Sequence, residues 1–292
     1  SQKGKKMAQP NVYQVSDWNG SSGERWVTHR QRLDAMLAPF GDAAMAAAAA
    51  RPGERVLDVG CGAGTSSIAL ARQVGATGEV LGLDISGPLI ALAQSQQPAD
   101  LPIRYALADA GSATLTTHGF NLLFSRFGVM FFDDPVASFA HMRRWLRPGG
   151  RIAFVCWRAA TDNDWVRLPM GAIRDIVPPL APPDPEAPGP FSFGDPVRVT
   201  RILSDAGFAA IDLAPIDGVI PFGQGADREA ALDDALAMAF EVGPLSRALA
   251  DQPADVRDRA AQAVRSAFAA RPGETAILID GAAWIVTATN PG

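Results

Sequence analysis

Apolar positions along this chain fall into two alternating patterns. Short, largely apolar runs rich in β-branched and large aliphatic side chains occur at residues 55–60, 80–85, 103–109, 120–127 and 151–157. Between them lie stretches with apolar residues at helical spacing, beginning near Thr65, Gly87 and Pro135. The alternation predicts right-handed βαβ crossovers in a mostly parallel sheet covered on both faces. The connection from 110 to 119 holds room for only a short helical turn. Upstream, residues 17–50 read as two helices able to lie over one end of the sheet.

After Trp157 the rhythm changes. Residues 164–177 have helical spacing, and residues 178–190 carry too many prolines for helix or sheet. The segment 195–206 opens with an acidic cap and a proline, and Gly207 stops it. Residues 211–222 and 275–290 read as extended, with a bend or turn open at Asp280-Gly281. Between them an alanine-rich helical stretch, 228–270, is interrupted at Gly243-Pro244 and Pro253. The string A-A-R-P-G-E ends at both Glu54 and Glu274, and shared turn chemistry between a helix and a strand accounts for it without a repeat. The expected organisation is a helical cap at 7–50, a core at 51–222, a helical insertion at 223–274 acting as a lid, and a final strand region at 275–292. The basic opening S-Q-K-G-K-K, residues 1–6, has no apolar segment behind it and reads as an expression leftover rather than a signal.

Composition narrows the function classes. The chain has 292 residues, 48% hydrophobic, and a formal net charge of −5, which disfavours nucleic acid or an anionic membrane as the main partner. The arginines at 143, 144, 147 and 151 are read as favourable charge at a helix C-terminus. Two cysteines, Cys61 and Cys156, give neither a disulfide framework nor a structural zinc site. A reducing, cytoplasmic setting is expected, with a small-molecule substrate, no bound metal, and a monomer or homodimer.

The chemistry starts at V-L-D-V-G-C-G-A-G, residues 56–64, where a strand runs into three alternate glycines and then a helix. Ligands bind at such strand ends in open α/β sheets. A nicotinamide dinucleotide would want a small residue where Thr65 stands, and Asp58 would repel its pyrophosphate. A Walker loop is excluded because no Gly-Lys-Ser/Thr follows. Asp84 ends the second strand twenty residues beyond Gly64, placed to accept two ribose hydroxyls, and Asp109 ends the third, placed to accept from an adenine amine. Three acids and a glycine turn on one rim suit a nucleoside without phosphates and with a cationic end.

This combination resembles the class I S-adenosylmethionine-dependent methyltransferases. Their acid-x-Gly-x-Gly-x-Gly motif is matched by Asp58, Gly60, Gly62 and Gly64, their ribose acid by Asp84 with Ile85 on the adenine, and their adenine-side acid by Asp109 with Ala110. F-N-L-L-F-S-R-F-G-V-M-F-F-D-D-P and L-R-P-G-G-R-I-A-F-V-C-W-R are similar to the small-molecule branch near the ubiquinone/menaquinone C-methyltransferases, which would set Ser125 or Arg126 beside the cofactor's methionine part through backbone contacts. The resemblance spans roughly 50–157. It implies a Rossmann-like sheet with its last strand antiparallel, S-adenosyl-L-methionine as cofactor and S-adenosyl-L-homocysteine as product.

For the methyl acceptor, the S-R-F-G that follows the fourth strand lacks the Asn/Asp-Pro-Pro-aromatic pattern of nucleobase amine methylation. Asp133-Asp134 and Asp162-Asn163-Asp164 precede helices and are read as caps rather than metal ligands. What remains is apolar. Trp18, Trp26, Phe127, Met130, Phe131, Trp157 and Trp165 are the candidates to line a pocket for a flat or hydrophobic molecule, attacked at C, O or N. His29 is a candidate base and Arg30 a candidate partner for the cofactor carboxylate. The competing readings are a cofactor-binding scaffold without turnover and a nicotinamide-dependent oxidoreductase.

Overall fold

The computed structural model describes residues 11–292. Three helices come first: α1 (Val12–Asn19), α2 (Ser21–Thr28) and α3 (Arg30–Ala48). The core then alternates β1 (Arg55–Val59), α4 (Thr65–Val74), β2 (Glu79–Asp84), α5 (Gly87–Gln96), β3 (Ile103–Leu107), β4 (Phe120–Arg126), α6 (Pro135–Arg143) and β5 (Leu146–Trp157). It is followed by α7 (Asp164–Ala172), α8 (Pro196–Asp205) and β6 (Ala209–Gln224), then α9 (Arg228–Glu241), α10 (Leu245–Leu249), α11 (Ala254–Ala269) and β7 (Ala276–Thr289).

The seven strands form one sheet in the order β3-β2-β1-β4-β5-β7-β6. β1 to β5 pair in parallel, and β7 runs antiparallel between β5 and β6. This is a mostly parallel, Rossmann-like sheet with one antiparallel strand, as the resemblance implied. Val56, Leu57, Leu122, Leu123, Ile152 and Phe154 are fully buried between the covering helices, which is why the middles of those strands read as apolar runs without alternation. The order reverses at β1 and β4, so their carboxyl ends flank the crevice where such sheets bind ligands.

Several local signals act as their chemistry requires. Asp134, Asp195 and Asp227 accept hydrogen bonds from Ala137, Val197 and Ala230 at the starts of α6, α8 and α9. Gly53 and Gly273, in the two copies of the repeated hexapeptide, both take positive φ, at 83° and 116°. The strand 276–289 runs without a turn at Asp280-Gly281, paired to β6 through Asp280 and Gly281.

Four expectations are corrected. The upstream segment is three helices, not two, because the chain breaks at Gly20 and again at His29. α7 stops at Ala172 rather than continuing to Val177. Asp133 and the 162–164 acids are not caps: Asp133 binds Asn11, Asn163 exchanges two hydrogen bonds with Ala282 of β7, and Asp164 accepts from the Asp280 amide. The arginines near α6 are tethers more than dipole partners, since Arg143 binds Ala206 and Asn290 while Arg151 binds Glu54 and the α3 carbonyls. No helix among the described residues is long and apolar enough to cross a membrane. Residues 1–6, read as an expression leftover, lie outside the described residues.

Candidate functional site

The carboxyl ends of β1, β2, β3 and β4 open onto one cavity of about 470 Å³. The turn after β1 lends Gly60, Cys61 and Gly62; the ends of β2 and β3 lend Asp84, Ile85, Asp109 and Ala110. Gly62 takes φ 55°, and a Cβ built there would meet nothing, so the backbone presents a bare concave surface. Gly60 answers a different need: a Cβ would lie 2.8 Å from the Gly128 Cα, so two backbone turns touch there.

Asp84 is held by two backbone amides, from Gly62 at 2.8 Å and Ser86 at 2.9 Å. Burial pushes its carboxyl above the usual carboxylate range, against the pull of those amides. Asp109 accepts from the Gly111 amide at 2.9 Å on one oxygen and from the Asn11 side-chain amide at 2.8 Å on the other. Asn11 is anchored in turn. Its backbone N–H donates to Asp133 at 2.6 Å, and its side-chain oxygen accepts from the Asp133 amide at 2.8 Å. Sequence reading missed Asn11, whose partner is 122 residues away; the only local hint is an asparagine just before a helix.

Four of the sequence-derived cofactor residues stand behind the wall and do not line the cavity. Asp58 is fully buried, with Oδ2 accepting from the Ser66 and Ser67 hydroxyls at 2.7 and 2.6 Å, so it braces the end of β1 against the start of α4. Its Oδ1 has no partner among the described residues, and burial pushes the carboxyl up to about 6 in spite of the two hydroxyls. Gly64 lies under the Tyr105 hydroxyl of β3, away from the cavity. Ser125 is consumed internally, donating to the Val59 carbonyl at 2.7 Å and accepting from the Gly128 amide at 3.1 Å. Arg30 turns away, its Nη1 buried without a partner among the described residues. Arg126 does reach the wall, where it pairs with Asp34 at 2.7 Å while Thr65 donates to the other Asp34 oxygen at 2.8 Å.

All seven aromatic and methionine candidates line the cavity: Trp18, Trp26, Phe127, Met130, Phe131, Trp157 and Trp165. Phe127 takes φ 55°, a conformation a bulky residue holds only under constraint, and its ring stacks on Trp157 at 4.2 Å. Trp157 also packs against Trp165 at 5.7 Å, and Trp18 sets its edge against Trp26 and Phe131. His29 lies on the same wall, at the junction of α2 and α3. Pro188, Gly189 and Pro190 complete the wall together with Met238 and Val242 of the insertion; the insertion was expected as a lid with no lining residue named in it, and the proline loop was not expected to contribute. Arg25 of α2 pairs with Glu241 of α9 at 3.1 Å, joining the N-terminal helices to the insertion. Among the described residues no His, Cys, Asp and Glu cluster could hold a metal ion.

Comparison with known proteins adds a second line of observation. A family model described as a methyltransferase domain matches residues 56–150. An uncharacterised 37.1 kDa protein in transposon TN4556 of Streptomyces fradiae is 30% identical over 70% of this chain and 57% of its own length. Nocamycin O-methyltransferase of Saccharothrix syringae is 30% identical over 55% of this chain and 61% of its own length. The chain thus spans 57% and 61% of the length of these relatives. In fold it is similar to phosphoethanolamine N-methyltransferase 2 of Haemonchus contortus, solved with S-adenosyl-L-methionine, at a TM-score of 0.50 and 17% identity over 87% of this chain and 53% of that one.

Proposed function

The chain carries a methyltransferase domain in a class I fold, and from that premise we propose that it transfers a methyl group from S-adenosyl-L-methionine to a small aromatic or hydrophobic molecule. The carrying observation is the junction of two kinds of wall in one cavity: a glycine cradle with two acids on one side and an aromatic chamber on the other.

The residues present fit the cofactor. The open face of Gly62 admits a ligand against the backbone. Asp84 would take the ribose hydroxyls, Asp109 the adenine amine, and Ile85 and Ala110 the faces of the purine. When bound, the cofactor supplies a sulfonium-activated methyl group and leaves as S-adenosyl-L-homocysteine. The chain itself positions the acceptor and excludes water. Holding two reactants in line can supply about 7–11 kcal/mol, and the rigid aromatic wall around Phe127 and Trp157 is suited to that task. The relative named nocamycin O-methyltransferase supports methyl transfer, and the fold likeness to a phosphoethanolamine N-methyltransferase solved with S-adenosyl-L-methionine agrees with it.

Titration calorimetry tests the reading. The chain should bind both S-adenosyl-L-methionine and S-adenosyl-L-homocysteine, and Asp84→Ala should weaken each about 10- to 100-fold, the worth of hydrogen bonds to a charged acceptor. Unchanged affinity in Asp84→Ala would overturn the site. Binding with no release of S-adenosyl-L-homocysteine across an acceptor library would favour the scaffold reading.

A further inference from the structure

The charged and titratable groups on the cavity wall are, with one exception, already engaged. Asp84 and Asp109 each accept two amide hydrogen bonds. Asp17 of α1 accepts from the Ser22 hydroxyl at 2.6 Å. Arg25 and Glu241 pair with each other, and Arg126 pairs with Asp34. His29 is different: among the described residues its imidazole has neither a hydrogen bond nor an ion pair, and it is half-buried on the wall between Trp26 and Leu33. An imidazole is the side chain best suited to take a proton near neutral pH. Among the described residues no bond gives the imidazole at position 29 a structural duty, and the cavity it lines is also lined by Trp18, Trp26, Phe127 and Trp157.

From this we infer that His29 is the general base of the site, and that the acceptor is a flat aromatic molecule methylated on an ionisable hydroxyl, a phenol or an enol. This rests on the methyl-transfer reading and narrows it. A neutral hydroxyl is a weak nucleophile toward a sulfonium methyl, whereas its anion is a strong one. The hydroxyl O–H breaks and its proton goes to the imidazole. The freed oxygen pair forms the new C–O bond. The C–S bond of the methyl donor breaks, leaving its pair on sulfur as a neutral thioether, and the imidazolium returns its proton to water after product leaves. A free amine acceptor would ask for no such base before attack. The position of His29 also suits the role, because the α2–α3 junction places it in the lining of the cavity that Trp26, Gly60 and Gly62 also line.

The test uses matched probes on one ring system: 2-naphthol, 2-naphthylamine and 4-nitro-1-naphthol, whose ionised form is coloured. The wild-type chain should release S-adenosyl-L-homocysteine with 2-naphthol and not with 2-naphthylamine. His29→Gln should lower that rate about 10²- to 10⁴-fold and abolish the acid limb of the kcat/KM pH profile. Its affinity for S-adenosyl-L-homocysteine should stay within about twofold, which guards against misfolding. More acidic naphthols should recover progressively more of the variant's rate, and added imidazole should partly rescue His29→Ala. Independently of turnover, 4-nitro-1-naphthol bound beside S-adenosyl-L-homocysteine should ionise at lower pH in the wild type than in His29→Gln. Turnover of the amine rather than the naphthol, turnover of neither while the cofactor binds, or a pH profile unchanged in His29→Gln each overturns this inference and leaves the cofactor site standing. Failure to bind the cofactor at all would sink the methyl-transfer reading and this inference with it.

Discussion

Lowering the pH should steady the turn after β1, contrary to the usual behaviour of a buried aspartate in an ion pair. The Asp58 carboxyl has an ordinary value of 3.8 and is pushed up to about 6 in the fold, so the native state holds its proton more tightly than the unfolded chain does. Its contribution to stability is therefore greatest below about 4 and is lost as pH rises through about 6. Asn at this position keeps an oxygen for both serine hydroxyls and carries no charge. Between pH 4 and pH 8 the wild type should lose about 1–3 kcal/mol relative to Asp58→Asn in urea titrations. Parallel curves for the two proteins would refute the assignment. Asn11 makes a second prediction at this scale. Asn11→Ala removes the donor that holds Asp109 and should weaken S-adenosyl-L-methionine about 5- to 10-fold by calorimetry. If adenine is what Asp109 reads, the loss should vanish for the inosine analogue of the cofactor. The glycine run and the acids at 84 and 109 were legible in the sequence because strand ends fix them. The buried bracing role of Asp58 was not, since a motif gives a residue's place on the chain and not which way its side chain faces.

Among elements, periodicity served best where both neighbours were regular. The helix 65–74 was expected and found at the same bounds, because a glycine turn stops it at each end. The break at His29 was hidden because nothing in R-W-V-T-H-R-Q-R-L interrupts helical spacing, and only the folded angle between α2 and α3 reveals it. The early start of β5 at Leu146 was likewise invisible behind Pro148-Gly149-Gly150. The contact joining α2 to α9 is the Arg25–Glu241 pair, with both side chains more than 40% exposed. An ion pair that wet contributes about 0–1 kcal/mol. Glu241→Ala should thus shift the free energy of unfolding by less than about 1 kcal/mol, and raised salt should erase the difference. A larger, salt-independent loss would mean that α9 is held by this contact rather than by the apolar residues beneath it, such as Met238 and Ala239.

Across the whole molecule, the strand ends supply the glycine turn and the acids of the cavity, and three segments far apart in the chain supply much of the rest. The N-terminal helices bring Trp18, Trp26 and His29, the proline loop brings Pro188 to Pro190, and α9 brings Met238 and Val242. Local patterning identified aromatic residues in the first of these and none in the other two, because convergence over such separations is a property of the folded chain. The division of labour has a further consequence. Each of the three segments enters and leaves the wall without contributing a strand to the parallel core, so any one could be exchanged for the matching piece of a relative while β1 to β5 stay intact. On the proposed function, chimaeras made in that way should inherit the donor's taste in small molecules and keep the recipient's grip on the nucleoside.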